Sequence, residues 1–125
     1  AGINDARWPR GTVATSGEEP PRRGEVWWVR VDKRRPAVVV QTDQVREPRV
    51  RSFLVVPRTS RLHLEGLPGN VRLGRADTRL PKASVANVYD VQKVLRPDFV
   101  ERVGILPADR LAEVAEGLRL VLDLS

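Results

Sequence analysis

The sequence contains no cysteine and no methionine, and His63 is its only histidine. Without thiols there can be no disulfide framework, no thiolate nucleophile and no Cys-based zinc site. With a single imidazole, no catalytic pair of histidines can form within one chain. Lysine is nearly absent as well: Lys33, Lys82 and Lys93 are the only ones among 22 Lys and Arg. Apolar runs are short. None approaches the roughly 18–20 residues of a membrane span, and none forms the apolar core of roughly 7–15 residues that marks a secretory signal. The first residue is not Met, which implies processing or trimming. No glycine-rich phosphate loop is present, and no acids or histidine fall at the spacing of a metal-ligand set. Neither a metal nor another cofactor is therefore expected.

What is present is a basic chain of 125 residues, one domain's worth, with a net charge of +6. The charge is uneven. Residues 1–21 sum to −1, residues 22–79 to +8, and residues 80–125 to −1. A central basic segment is what a phosphate-facing surface requires, although arginine spread over a solvated surface would give the same count.

Residues 1–21 read as a flexible tail, punctuated by Gly2, Pro9, Gly11, Gly17, Pro20 and Pro21. Residues 22–125 read as the folded domain. Gly24–Val31 is aromatic and β-branched, Pro36–Gln41 is almost continuously apolar, and Ser52–Val56 is a third such run. Asn70–Leu73, Ala83–Val91 and Val103–Leu106 complete five or six short strands. Pro97 suits the start of a helical turn over Asp98–Arg102. From Pro107 the chain predicts one helix, with Leu111, Val114, Ala115, Leu118, Val121 and Leu122 forming its apolar stripe. Gly117 within it predicts a close neighbour. The fold class expected is α+β, mainly β: a compact antiparallel barrel or half-barrel with a C-terminal helix over its open end. Trp27 and Trp28 must point to opposite faces of their strand, so one belongs to the core.

Several residues could carry chemistry. Arg34 and Arg35 start a buried strand, where a guanidinium can be held rigidly. Arg58, Thr59, Ser60 and Arg61 follow another; Thr59 could bind a phosphate or simply cap a turn. His63 sits in a loop, and Asp90 ends a strand.

The segments Arg22-Arg23-Gly24-Glu25-Val26-Trp27, Arg35-Pro36-Ala37-Val38-Val39-Val40, Val55-Val56-Pro57-Arg58-Thr59-Ser60, Leu80-Pro81-Lys82-Ala83-Ser84-Val85 and Leu118 to Leu124 occur in an order that resembles the MazF/PemK family of toxin endoribonucleases. The resemblance spans Arg22 to Leu124. It implies an SH3-like (CcdB/PemK-like) barrel with a C-terminal helix, and a cytoplasmic homodimer neutralised by a cognate antitoxin whose tail occupies the RNA groove. It also implies metal-independent, sequence-specific cleavage of single-stranded RNA to 2′,3′-cyclic phosphate and 5′-hydroxyl ends.

The family's functional Arg before Pro falls on Arg35 and its functional Thr on Thr59, which makes these the expected catalytic residues. Arg34, Arg58, Ser60, Arg61 and Asn87 are the expected RNA contacts. Two features depart from the family pattern. The first turn is short and lacks a Glu before Arg35, and Asp90 stands where many members carry Gln; an acid there repels phosphate unless it is paired. The alternatives are a CcdB-like gyrase toxin, which the C-terminus Leu122-Asp123-Leu124-Ser125 disfavours, and a catalytically silent RNA-binding relative.

Overall fold

The computed structural model describes residues 19–45 and 47–124. Most of the predicted tail therefore lies outside the described residues. Seven strands and two α-helices follow in the order β1 (Glu25–Arg30), β2 (Arg34–Val39), β3 (Ser52–Thr59), β4 (Val71–Leu73), α1 (Arg75–Thr78), β5 (Ser84–Ala86), β6 (Gln92–Leu95), β7 (Phe99–Ile105) and α2 (Ala108–Val121). Every recorded pairing is antiparallel. The sheet runs β4-β5-β3-β2-β1-β7, with β6 also on β3, and it is not closed into a barrel. The expected mainly-β fold with a terminal helix is present, as the half-barrel form.

Two expectations about the strands are corrected. Ala83–Val91 is not one strand. It pairs with β3 as far as Ala86, leaves the sheet through a 3-10 turn at Val88–Asp90, and returns to the same strand at Gln92. Two residues of β3, Val56 and Pro57, thus face five, Asn87 to Val91. The Asn87 side chain accepts from the Tyr89 amide and so caps the turn. This raises the strand number to seven. Secondly, the turn begun by Pro97 is Arg96–Asp98, not Asp98–Arg102. Phe99 already belongs to β7, because its ring is buried against Trp27 and Phe53.

The valine runs bury both faces of the sheet. Val38 pairs with Val26 and Val56, and these three share a core with Leu73, Val88 and Val114 under α2. The alternate residues Ala37, Val39 and Val55 face the other way, onto Phe99, Val94, Trp27 and Phe53. Each fully buried valine contributes about 1.5–3 kcal/mol. Trp27 is the core tryptophan; Trp28, on the opposite face, carries the Arg34 guanidinium 5.2 Å from its ring centre.

Helix α2 presents Val114 and Gly117 inward, with Leu111, Leu118 and Val121 beside them. Leu122 is a correction to the predicted stripe: it is the C-cap and is exposed. Gly117 does what its position predicts. A β-carbon there would collide with the backbone oxygen of Gly69, which itself adopts a φ of +97°. The loop after β3 is thereby seated directly on the helix.

Candidate active site

Arg35 and Thr59 meet where a ladder stops. The β2–β3 pairing is recorded from Val39↔Val55 to Ala37↔Pro57. Pro36 and Pro57 lack the N–H that would carry it further. Continuing the same register sets Arg35 opposite Thr59, past the last pair. Both fall on the face of Ala37 and Val55, at the margin of the aromatic core. On its other side Arg35 pairs with Val29 of β1, so its backbone is anchored.

The Arg35 guanidinium is about a quarter exposed (27%), and its Nε is enclosed without a hydrogen-bond partner. Among the described residues its ion pair is with Asp90, Nη1 to Oδ2 at 3.8 Å. That is too long for a hydrogen bond. The Thr59 hydroxyl accepts from the Arg61 amide at 3.2 Å, the turn-capping bond that its type permits. Because the oxygen accepts in that bond, the hydroxyl proton is still free to donate.

Arg58 is adjacent to Thr59, so it starts on the opposite face. It pairs with Ala86, and its Nε is enclosed without a partner. Burial lowers its pKa, but guanidinium is not deprotonated in proteins, so it remains a cation. Ser60, Arg61 and His63 are exposed around the turn that follows. Arg34 lies on the face away from Arg35, engaged by Trp28 and by Glu101 at 3.9 Å.

Asn87 is turned inward more than its expected RNA role implies. Its Oδ1 accepts from the Tyr89 amide at 3.3 Å and from Asn70 Nδ2 at 3.2 Å. Asn70 is the residue that sequence reasoning missed. Its Oδ1 accepts from the Val88 amide and its Nδ2 also donates to the Leu64 carbonyl. With the Tyr89 hydroxyl on the Pro68 carbonyl at 2.5 Å, it ties the Val88–Asp90 turn to the loop before β4. No spacing signal could reveal a pair of amides 17 residues apart. Gln92 completes the arrangement, donating to the Asp90 carboxylate and to its carbonyl, both at 3.3 Å.

The arrangement is an anchored cation on β2 and a hydroxyl at the end of β3, with Arg61 exposed in the turn that follows. It suits an anionic tetrahedral group. Among the described residues no three His, Asp or Glu side chains gather to hold a metal ion. No helix among them is long and apolar enough to cross a membrane. A cavity of about 800 Å³ lies elsewhere, between β4 and α2, lined by Glu65, Arg72, Arg110 and Glu116 among others; Arg35, Thr59 and Asp90 do not line it.

Residues 22–122 match a family profile described as PemK-like, MazF-like toxin of type II toxin-antitoxin system. The endoribonuclease MazF6 of Mycobacterium tuberculosis is 38% identical over 110 residues, covering 82% of this chain and 96% of that protein. Among solved structures, the Mycobacterium tuberculosis toxin MazF-mt6 superposes with a TM-score of 0.71 at 25% identity, covering 81% of this chain and 98% of that one. A MazE-MazF structure from Deinococcus radiodurans gives a TM-score of 0.69 at 28% identity, with coverage of 86% and 99%.

Proposed function

The chain belongs to the PemK-like, MazF-like toxin family of type II toxin–antitoxin systems, and from that premise we propose that it is a metal-independent endoribonuclease acting on single-stranded RNA. The observation that carries this reading is the placement of Arg35 and Thr59 on β2 and β3 just beyond Ala37↔Pro57, the last pair of that ladder. RNA brings its own nucleophile. The 2′-oxygen attacks the adjacent phosphorus and loses its proton, the bond to the 5′-oxygen breaks, and that oxygen gains a proton. The products are a 2′,3′-cyclic phosphate and a 5′-hydroxyl. The pentacoordinate transition state carries more negative charge on its oxygens than the diester does. A rigidly held guanidinium at Arg35 stabilises that increment.

Arg35 is not the base, because a guanidinium is not deprotonated in proteins. Thr59 donates to a phosphate oxygen and fixes the orientation of attack. Arg58, Ser60 and Arg61 hold neighbouring phosphates or bases. Asn87 contributes chiefly by shaping the turn that bears Asp90, and Arg34 contributes charge from the far face. DNA, lacking the 2′-hydroxyl, is bound but not cut. The same reading assigns a cognate antitoxin, a homodimer and a cytoplasmic site of action.

A pool of long transcripts digested with chelator present tests the chemistry and the target sequence together. Fragments are expected to accept a radiolabelled phosphate from polynucleotide kinase without prior dephosphorylation, as 5′-hydroxyl ends do. Fragments with 5′-phosphates, or cleavage abolished by the chelator, would overturn the mechanism.

A further inference from the structure

The geometry points to Asp90 as an internal competitor for the substrate phosphate: it occupies Arg35 in the free protein and must release it when RNA binds. This rests on the assignment of Arg35 as the phosphate-binding cation. Four observations carry it. Asp90 supplies the ion pair of Arg35 among the described residues. The pair is loose, at 3.8 Å, and the Arg35 head group spends no hydrogen bond on any described residue. Its terminal Nη donors are thus unspent and available to a better acceptor. Asp90 is half exposed (48%), so its carboxylate can swing into water by giving up one long hydrogen bond, from Gln92 at 3.3 Å. The backbone beneath it is nevertheless pinned, by the Asn87 carbonyl on the Asp90 amide at 3.1 Å and by the Asn70–Asn87 pair.

A carboxylate and a phosphodiester each carry one negative charge, so exchange at Arg35 leaves the charge count of the site unchanged. What changes is hydrogen bonding. A phosphate at Arg35 can take short charge-assisted bonds from the guanidinium and the Thr59 hydroxyl together, which Asp90 does not make. Exposed ion pairs of this length are weak. The competitor therefore keeps Arg35 neutralised and pre-oriented without holding it against RNA. It also filters ligands: an isolated anion gains little by displacing Asp90, whereas a polyanion anchored by Arg58 and Arg61 gains at several points. Asp90 acts through Arg35 and is a positioning residue, not a catalytic one.

The test is a double-mutant cycle of Asp90→Asn and Arg35→Ala, read by binding of a short random-sequence 2′-O-methyl RNA that cannot be cleaved. With Arg35 present, Asp90→Asn is expected to tighten binding about two- to fivefold. In the Arg35→Ala background it should change binding little. Cleavage kinetics of the single variant should show the gain as a lower KM. Equal tightening in both backgrounds would mean a general effect of surface charge and would overturn the competitor. So would no tightening in either, or a fall in kcat with KM unmoved. Loss of all cleavage while the coupling between Asp90 and Arg35 persists would overturn the nuclease reading and leave the competitor standing.

Discussion

At the start of β1 the Glu25 carboxylate is buried and every direction around it is used. It accepts from the Arg22 amide, the Trp27 indole and the Arg102 guanidinium, each at 2.9 Å. At the start of β2, the neighbouring strand, the Arg35 guanidinium is also largely enclosed. Yet it makes no hydrogen bond to a described residue and meets Asp90 only at ion-pair distance. The two contacts join the same chemical groups to opposite ends. A buried carboxylate with three donors is satisfied, and it holds β1, β7 and the Trp27 ring in register. An enclosed guanidinium with its donors unspent is under-satisfied, and that deficit is a binding capacity. In this sheet, closed charge networks build the fold and open ones face the ligand.

Substitutions at three positions would sharpen that contrast or break it. The largest effect is expected at the open contact: Arg35→Ala should lower the cleavage rate by about 10²–10³-fold, as removal of a transition-state donor does, with the thermal midpoint nearly unchanged. Arg35→Lys should recover little, because an ammonium lacks the planar fork. A large loss of stability in Arg35→Ala would show that its charge is structural after all. At the closed contact the order reverses. Glu25→Ala leaves three donors without their acceptor and should cost about 2–3 kcal/mol in denaturant unfolding, while the remaining folded protein still cleaves. A cost below about 0.5 kcal/mol, the range of an ordinary surface change, would break the comparison. The smallest effect is expected for Thr59→Val, which keeps the shape and removes the donor. It should slow cleavage by about tenfold, the worth of one hydrogen bond to a charged group, and leave stability within about 0.5 kcal/mol.

The parts of this molecule legible in its sequence are those decided by neighbours along the chain. The β1 and β2 strands, the short turn between them and the terminal helix follow from β-branched runs and from a 3.6-residue stripe. Gly117 announced a close contact, and the family resemblance carried by five ordered segments matches the family found. The parts that were not legible are decided across the chain. That Ala83–Val91 leaves the sheet depends on Asn70 reaching Asn87 and Val88. Which tryptophan is core depends on Phe99 arriving beside Trp27, and Pro97-Asp98 locally favours a turn over the strand that delivers it. For Arg35, the sequence indicated rigidity; it could not indicate that Asp90 stands before it, because the two are joined only through the excursion between β5 and β6.

Strand β3 has a consequence for the timing of motion. It is laddered by β6 from Ser52 to Val55 and by β2 from Val55 to Pro57, so that Val55 is paired on both edges, whereas at Arg58 and Thr59 the recorded partner is β5. Amide hydrogens around Val55, between two partner strands, are expected to exchange slowest. Those at Arg58 and Thr59 need only local fraying of a short pairing. One continuous strand thus runs on two clocks. The slow one belongs to the core of the sheet, and the fast one to the strand end that carries Thr59.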